Sequence, residues 1–299
     1  MSGIARTPDN LLARLPEFPF KPRYRKFEEL RLAHIDEGKG PPVVLLHGEP
    51  TWSFLWRKVI PPIREAGYRC IAPDLPGFGR SDKPLDLDWY TYDRHTDSVA
   101  RLFAELKLRD ATIVVHDWGG PIGLRLAVER PELIGRMVVL DSGLFTGHQK
   151  MSESWLAIRE LAQRSEDLSV SFLIRAGCRM PPSPGVVAAY EAPFPNPASK
   201  AGARAFPLIL PTTPHMEGAV TGQRVLAALG SDPRPKLIIW GEGDAILPLE
   251  AGWRFARAIG AEGDHVIKGV GHYVQEDAGN QVGRMIVRWL KSYAPAGKR

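Results

Sequence analysis

The sequence predicts an α/β fold in which a mostly parallel, eight-stranded sheet carries helices and one inserted helical segment. Short apolar runs at 43–46, 112–115 and 137–140 are typical of strands buried on both faces of a parallel sheet. Stretches with apolar residues at helical spacing, such as 94–106, separate these runs, and this alternation indicates βαβ units. Between 144 and 214 helical segments and clustered prolines replace the strands. We therefore expect one sheet interrupted by a helical cap.

The other elements follow from the same patterns. Residues 1 to about 22 are rich in proline and lack periodicity, so we expect them to lie on the surface. Alternating stretches from Tyr24 to Ile35 predict two antiparallel strands. Further strands are predicted at 70–74, 236–240 and 265–267, and further helices up to about 129, at 250–259 and at 275–290. The resulting division is a core of 1–143 and 215–299 with a cap of 144–214.

The stretch 112–124 organises the rest of the chain. A β-branched run ends in His116 and Asp117, two glycines follow, and an apolar helical pattern begins. Strand, tight turn and helix in this order form the context of a nucleophile elbow, which exposes one side chain at the top of a sheet. Asp117 occupies the position where serine is usual. Taken alone, an aspartate at such a junction is more readily explained as the N-cap of the following helix, and only the other residues of the chain favour a nucleophile.

Two more polar residues follow strands later in the chain. Asp244 comes just after the strand at 236–240, and His272 follows the strand at 265–267. Nucleophile, acid and histidine in this order match the triad of an α/β-hydrolase. Because the carboxyl ends of parallel strands share one edge of a sheet, we expect all three side chains to meet there. Separately, Asp244 could be a turn residue and His272 a surface histidine.

An aspartate in the elbow favours substitution at a saturated carbon. Serine attached to an alkyl carbon would form an ether that water does not cleave. A carboxylate instead forms an ester, which water activated by histidine can hydrolyse at the aspartate carbonyl. The reaction is then displacement of a halide or opening of an epoxide.

The leaving group separates these two reactions. An epoxide leaves as an alkoxide and needs a proton donor, usually tyrosine from the cap. A halide needs only hydrogen-bond donors, and an indole N–H is a donor without acceptor capacity. Trp118 follows the nucleophile, and the predicted cap contains Trp155 and one tyrosine, Tyr190. This favours halide, although Trp155 also fits a role in cap packing, and an epoxide hydrolase stays the alternative.

Three segments make the chain resemble the haloalkane dehalogenases, over about residues 24 to 290. They are His-Gly-Glu-Pro-Thr-Trp-Ser-Phe-Leu-Trp at 47–56, Val-His-Asp-Trp-Gly-Gly at 115–120 and Ala-Tyr-Glu-Ala-Pro-Phe-Pro at 189–195. The closest branch places its acid after the strand that follows the cap. The resemblance implies these roles: Asp117 as nucleophile, His272 as base, Asp244 as the residue orienting it, Trp118 and Trp155 as halide donors, and the backbone N–H groups of Glu49 and Trp118 as oxyanion hole. It leaves the side chain of Glu49 without a role, and Glu49-Pro50 is a possible cis bond.

Two residues depart from that pattern. His116 stands before the nucleophile where glutamine is more common in this branch, and histidine there also suits epoxide hydrolases. Asp141 ends the strand before the cap, where another dehalogenase branch places its acid. Asp141 is therefore a rival to Asp244, which we prefer.

Composition excludes several other classes of protein. Net charge is +5, from 39 Lys and Arg against 34 Asp and Glu, without the basic stripe of a nucleic-acid binder. Cys70 and Cys178 lie far apart with no histidine at ligand spacing, so neither a disulfide nor a metal is indicated. The sequence shows no bilayer-spanning run and no signal layout, so we expect a cytoplasmic protein.

We also expect a monomer that acts on a small apolar halogenated substrate with water, releases a halide ion and needs no cofactor. A non-catalytic binder on the same fold is a remote alternative.

Overall fold

An eight-stranded sheet forms the centre of the computed structural model, which describes residues 3–293. The ten strands are β1 (Ile4–Ala5), β2 (Arg23–Phe27), β3 (Leu30–Glu37), β4 (Pro42–Leu46), β5 (Arg69–Pro73), β6 (Lys83–Pro84), β7 (Ala111–His116), β8 (Ile134–Leu140), β9 (Lys236–Gly241) and β10 (Glu262–Ile267). The large sheet has the order β10-β9-β8-β7-β4-β5-β3-β2, and β1 pairs with β6 in a separate two-stranded sheet.

Strand direction in the large sheet confirms the predicted fold class. β5, β4, β7, β8, β9 and β10 run parallel, whereas β2 and β3 form the antiparallel edge. Every residue of β7 and β9 is buried, as expected for strands covered by helices on both faces. The carboxyl ends of the parallel strands consequently share one edge of the sheet.

Ten α-helices surround the sheet within the described residues. They are α1 (Ile60–Glu65), α2 (Tyr92–Glu105), α3 (Gly119–Glu129), α4 (Glu153–Arg164), α5 (Val170–Gly177), α6 (Pro184–Glu191), α7 (Ala201–Ile209), α8 (Ala219–Gly230), α9 (Leu249–Ile259) and α10 (Val274–Ser292). Two of these helices were not predicted from the sequence. They are α1, which is short and has two prolines in its first turn, and α8, which packs against α3 and α9.

The segment between β8 and β9 contains helices α4 to α8 and, within residues 141–235, no strand. Helices α4, α5 and α6 each begin at a serine whose hydroxyl accepts a backbone N–H of the first turn, as N-capping residues do. For α4 that serine is Ser152, which accepts the N–H of Trp155 and thereby fixes where Trp155 lies on the helix. We propose that 144–214 is the cap, with α8 returning to the core.

The prediction that residues 1 to 22 lie on the surface was wrong for part of this segment. Leu12, Phe18 and Phe20 are buried in the main core. Phe18 packs edge-on against the rings of Trp52 and Phe54 at centroid distances of 5.4 and 5.3 Å. Aromatic burial of this kind needs no periodicity, since single side chains of an irregular segment insert separately into the core.

None of the helices in residues 3–293 has the length and apolarity to cross a membrane. The same residues contain no group of three or more His, Cys, Asp or Glu side chains placed to hold a metal ion.

Candidate active site

The turn between β7 and α3 holds Asp117 in a strained backbone conformation. Its φ of 48° lies in the left-handed region, which costs a residue other than glycine about 1–3 kcal/mol. Gly119 makes this turn possible, because a Cβ there would lie 2.3 Å from the carbonyl oxygen of Leu46 on β4. The adjacent strand thus packs directly against the turn, and the side chain of Asp117 projects beyond the sheet edge.

Backbone N–H groups hold one side of the Asp117 carboxylate. The N–H of Glu49 donates to Oδ1 at 2.6 Å, and the backbone N–H of Trp118 helps to lower the pKa of the same carboxyl. Gly48 allows this approach, since a Cβ on it would lie 2.2 Å from Oδ1. The Glu49–Pro50 peptide bond in the same loop is cis. The N–H groups of Glu49 and Trp118 thus lie where an oxyanion hole would need its donors.

The other side of the carboxylate faces His272. Asp117 Oδ2 lies 3.6 Å from His272 Nε2, and His272 Nδ1 donates to Asp244 Oδ2 at 2.8 Å. The backbone N–H groups of Ile246 and Leu247 donate to Asp244 Oδ1 at 2.8 and 2.9 Å. Asp244 is therefore fixed by its own loop and in turn orients the imidazole. The three residues predicted from chain order lie together at one sheet edge.

The charges of this triad shift two pKa values in opposite directions. Burial alone would lower the pKa of His272, but the charges of Asp244 and Asp117 and the hydrogen bonds to them raise it well above its usual value. Burial alone would raise the pKa of Asp117, but the hydrogen bond and charge of His272 bring it below the ordinary range. The free protein thus favours a histidinium beside an ionised Asp117.

Asp141 also lies near the triad, at the end of β8. It is fully buried, its Oδ1 accepts the N–H of Gly241 at 2.9 Å, and its Oδ2 has no hydrogen-bond partner. Burial first, and then the charge of Asp244, raise the pKa of Asp141 well above the usual value. The imidazole of His272 bonds Asp244 instead. Asp141 is therefore neutral, and it lies near Asp244, the carboxylate that the imidazole of His272 contacts.

His116, the residue before Asp117, supports the histidine loop. Its Nε2 donates to the backbone carbonyl of His272 at 2.9 Å, and its ring lies 4.7 Å from that of His272. Burial, together with the charge of His272, lowers the pKa of His116 to about 3. His116 is therefore neutral, and its hydrogen bond stabilises the backbone at His272.

A small cavity lies over the Asp117 carboxylate. The centre of a water molecule can occupy a volume of about 30 Å³ in this cavity, so the cavity has room for one or two water molecules. Its walls are Glu49, Pro50, Asp117, Trp118, Trp155, Ile158, Leu173, Pro207, Ile246, His272 and Tyr273. Apart from Asp117, His272 and Glu49, this lining is apolar or aromatic, which suits an apolar substrate.

Both tryptophans predicted to bind halide line this cavity. Trp118 is 4% exposed and stacks on Phe206 of α7 at a centroid distance of 4.8 Å. Trp155 is 6% exposed and comes from the first turn of α4. The hydroxyl of Ser152, which caps that helix, donates to the carbonyl of Ile246 at 2.8 Å. This contact links the start of α4 to the loop of Asp244.

The tyrosine of the predicted cap lies outside the cavity. Tyr190 is fully buried and donates its hydroxyl to Glu276 Oε2 at 2.9 Å. The cavity does contain Tyr273, whose hydroxyl donates to the carbonyl of Glu49 at 3.3 Å. Within the described residues, the cap therefore supplies no tyrosine to the cavity wall.

Sequence reasoning missed several residues of the wall. Ile158 and Leu173 lie on α4 and α5. On a helix, apolar residues that face a cavity recur with the same spacing as apolar residues that face the core, so the sequence pattern does not distinguish them. Tyr273 directly follows His272 and Ile246 lies two residues after Asp244, and this proximity in the chain was an available signal. The supporting contact of His116 had no signal in the sequence, since it joins residues 156 positions apart.

Comparisons with known proteins show the family to which this chain belongs. A family model described as alpha/beta hydrolase fold matches residues 41–173. Haloalkane dehalogenases of Mycolicibacterium paratuberculosis and Mycobacterium marinum are 40% and 41% identical, over 97% and 96% of this chain and 99% of each relative. The tetrameric haloalkane dehalogenase DpaA of Paraglaciecola agarilytica superimposes with a TM-score of 0.88 at 33% identity, over 95% of this chain and 97% of that one. The chain therefore belongs to the haloalkane dehalogenases, hydrolases of carbon–halide bonds that have the α/β-hydrolase fold.

Proposed function

We propose that this protein hydrolyses haloalkanes to an alcohol, a halide ion and a proton through an ester formed on Asp117. The observation that carries this proposal is a carboxylate at the elbow whose Oδ1 accepts the N–H of Glu49 and whose Oδ2 faces a histidine. The haloalkane dehalogenases among its relatives support the substrate class.

In the first step Asp117 Oδ2 attacks the carbon that bears the halogen. The new C–O bond forms as the carbon–halogen bond breaks, and the halide leaves with the electron pair of that bond. Oδ1 is occupied by the N–H of Glu49, so Oδ2 is the oxygen free to react. The indoles of Trp118 and Trp155, both in the cavity wall, would donate to the departing halide.

In the second step water attacks the carbonyl carbon of the Asp117 ester. His272 accepts a proton from this water, Asp244 stabilises the resulting imidazolium, and negative charge develops on Oδ1. The N–H of Glu49 already donates to the carboxylate, and the N–H groups of Glu49 and Trp118 can stabilise that charge. Collapse of the intermediate breaks the bond between the carbonyl carbon and the alkoxy oxygen. The alcohol leaves with one proton, the second proton of the water passes to solvent, and Asp117 is restored.

Esterification prepares His272 for its role as base. The charge of Asp117 and the hydrogen bond to it are among the causes that raise the pKa of His272 in the free protein. An ester carries no charge, so both contributions disappear once the alkyl group is attached. The pKa of His272 should therefore fall in the intermediate, where a neutral imidazole is required.

Acid should consequently stop the second step before the first. The lowered pKa of Asp117 keeps the nucleophile ionised as the pH falls, whereas His272 becomes protonated and loses its function as a base. We expect the alkylated fraction during turnover to be larger at about pH 5 than at about pH 8, as measured by rapid acid quenching and intact-protein mass. An alkylated fraction that does not change with pH would argue against His272 as the base.

Replacing Trp155 by phenylalanine should weaken halide binding by about tenfold, the lower end of what one hydrogen bond to a charged group contributes. The midpoint of fluorescence quenching by bromide measures the affinity. Trp253→Phe is the matched control, since Trp253 is 37% exposed on α9, outside the cavity. Equal midpoints for the two variants would remove Trp155 from the halide site.

One pair of assays separates the proposal from an epoxide hydrolase. We expect halide release from brominated alkanes and little diol from a styrene-type epoxide, because Tyr190 is bound to Glu276 and not available to protonate an alkoxide. Faster diol formation than halide release would reverse the assignment.

Our expectation of a monomer remains a prediction, and light scattering in solution would test it.

A further inference from the structure

A second, larger pocket lies beside the candidate active site, where the start of the inserted segment meets α8 and α9. Its volume is about 330 Å³, whereas the cavity over Asp117 has about 30 Å³. The wall of this second pocket consists of the loop 142–152, residues 246–248 and side chains of α8, α9 and β9. Ile246 lines both spaces, so the two are neighbours.

Most of the wall of the second pocket is apolar. Trp240 of β9 is buried in it, whereas Phe145, Leu226 and Phe255 are only half-buried. Apolar surface that stays in contact with water favours any ligand that covers it. A pocket of this volume takes a ligand of about ten non-hydrogen atoms.

The ionisable residues in the wall are basic. His148, Lys150 and Arg254 line the pocket and are exposed, so they form its rim at the solvent side. None of the described residues in the wall is an aspartate or a glutamate, and Glu250, one turn before Arg254 on α9, lies outside it. Within the part of the chain that the structure describes, neither Lys150 nor Arg254 forms an ion pair. An apolar pocket with a cationic rim is complementary to an anion that carries an apolar tail.

We propose that the second pocket binds an amphipathic carboxylate with a linear chain of about eight carbons, and that its occupancy strengthens halide binding in the candidate active site. The tail covers the aromatic wall, and the carboxylate binds Lys150 and Arg254 at the rim. Binding to this pocket is independent of the proposed function. The effect on halide binding rests on the proposed function.

Hydrogen bonds connect the wall of the second pocket to the candidate active site. The hydroxyl of Ser142 donates to the backbone carbonyl of Asp117 at 2.5 Å. The hydroxyl of Ser152 accepts the backbone N–H of Trp155 and donates to the carbonyl of Ile246. A ligand packed against Ser142, Ser152 and Ile246 would restrain the supports of the nucleophile and of one halide donor. Halide would then bind to a site that needs less ordering, which increases affinity.

Calorimetric titration with octanoate tests the site, with Ala258→Phe and Arg254→Gln as the variants. We expect one octanoate per chain in the unmodified protein. Ala258 is an exposed wall residue on α9, so phenylalanine there should be tolerated by the fold while its ring fills the pocket. Affinity should then fall by about tenfold or more. Arg254→Gln removes one exposed ion pair and should lower the affinity by about two- to fivefold.

Ala227→Phe and Arg257→Gln are the matched controls, because both residues are exposed on α8 and α9 and lie outside the wall. Both controls should bind octanoate like the unmodified protein. Unchanged affinity in Ala258→Phe would overturn the location of the site. Octan-1-ol has the same tail without the charge, and binding as tight as that of octanoate would overturn the choice of a carboxylate. Absence of octanoate binding to the unmodified protein would overturn the site altogether.

Bromide titrations at increasing octanoate concentrations distinguish the second pocket from the cavity over Asp117, with fluorescence quenching as the readout. Occupancy of the second pocket should tighten bromide binding by about fivefold, the lower end of typical couplings between sites, and the effect should level off once the pocket is full. Competition in the cavity over Asp117 would instead weaken bromide binding without limit and would overturn the proposal.

Ala258→Phe should abolish the effect of octanoate on bromide binding, whereas Ala227→Phe should retain it. A bromide midpoint that does not change with octanoate would overturn the coupling between the two sites. If octanoate binds as expected while the protein neither binds bromide nor releases halide from bromoalkanes, the proposed function fails and the carboxylate site stands.

Discussion

Replacing His272 by glutamine should trap the protein with an alkyl group on Asp117. After incubation with a 1-bromoalkane, the intact mass should rise by the mass of that alkyl group, with close to one adduct per chain. The first step does not use the imidazole as a base, and Asp117 Oδ2 stays open to the cavity. The second step loses its general base, a loss of about 10²–10⁴-fold in rate. Steady-state halide release should therefore fall to a single turnover.

The position of the adduct distinguishes catalysis from incidental labelling. Peptide mapping should place the alkyl group on residue 117, and the double change Asp117→Asn with His272→Gln should give none. Glutamine has no positive charge, so the nucleophile in the variant is less well oriented and the burst of alkylation should be slower. An unmodified mass after prolonged incubation would exclude the covalent route.

Asp244→Asn should cost about 10³–10⁴-fold in turnover, comparable to loss of the orienting acid in serine-based triads. The carboxylate of Asp244 accepts from His272 Nδ1 at 2.8 Å, and its charge is the largest favourable contribution to the raised pKa of His272. Asparagine removes that charge and can present an NH₂ group to the ring, which favours the wrong tautomer. The loss should fall mainly on hydrolysis of the ester, so burst kinetics should show alkyl-enzyme accumulating.

Asp141→Asn is the matched comparison and should cost less than about tenfold. Asparagine preserves the acceptor that binds the N–H of Gly241, and it replaces a carboxyl that the raised pKa of Asp141 keeps neutral. Both substitutions exchange one oxygen for nitrogen at the ends of neighbouring strands, so differences in folding should be small. A larger loss at 141 than at 244 would assign the orienting role to Asp141.

The elements that position the candidate site were predictable because their signals are local. Apolar runs of strand length located β4, β7, β8 and β9, and the edge shared by parallel strands required residues 117, 244 and 272 to converge. The chemistry followed from residue type, since an aspartate at the elbow and a histidine after the last strand restrict the reaction. The choice between Asp141 and Asp244 stayed a preference, because both follow neighbouring strands and only the direction of the imidazole separates them.

Other features depend on contacts between distant residues and have no local signal. The N-terminal segment has no periodicity, yet Phe18 inserts between aromatic rings of the loop after β4. Glu49 looked dispensable because its backbone already had a role, and only the burial of its carboxyl reveals an unpaired group. Tyr190 lies in a segment resembling other dehalogenases, but its partner Glu276 is 86 residues away.

The contact between Tyr190 and Glu276 has a consequence for how the molecule denatures. Glu276 lies on α10, four residues after His272, and Arg57 of the loop after β4 forms a buried, bidentate ion pair with it at 2.7 and 2.6 Å. If α6 separated from the sheet, the Glu276 carboxylate would lose its hydrogen bond from Tyr190. The buried ion pair between Arg57 and Glu276 would then be exposed to solvent, and breaking such a pair is unfavourable. The inserted helices and the sheet should therefore melt in one cooperative transition, and amide protons of α6 should exchange as slowly as those of the central strands.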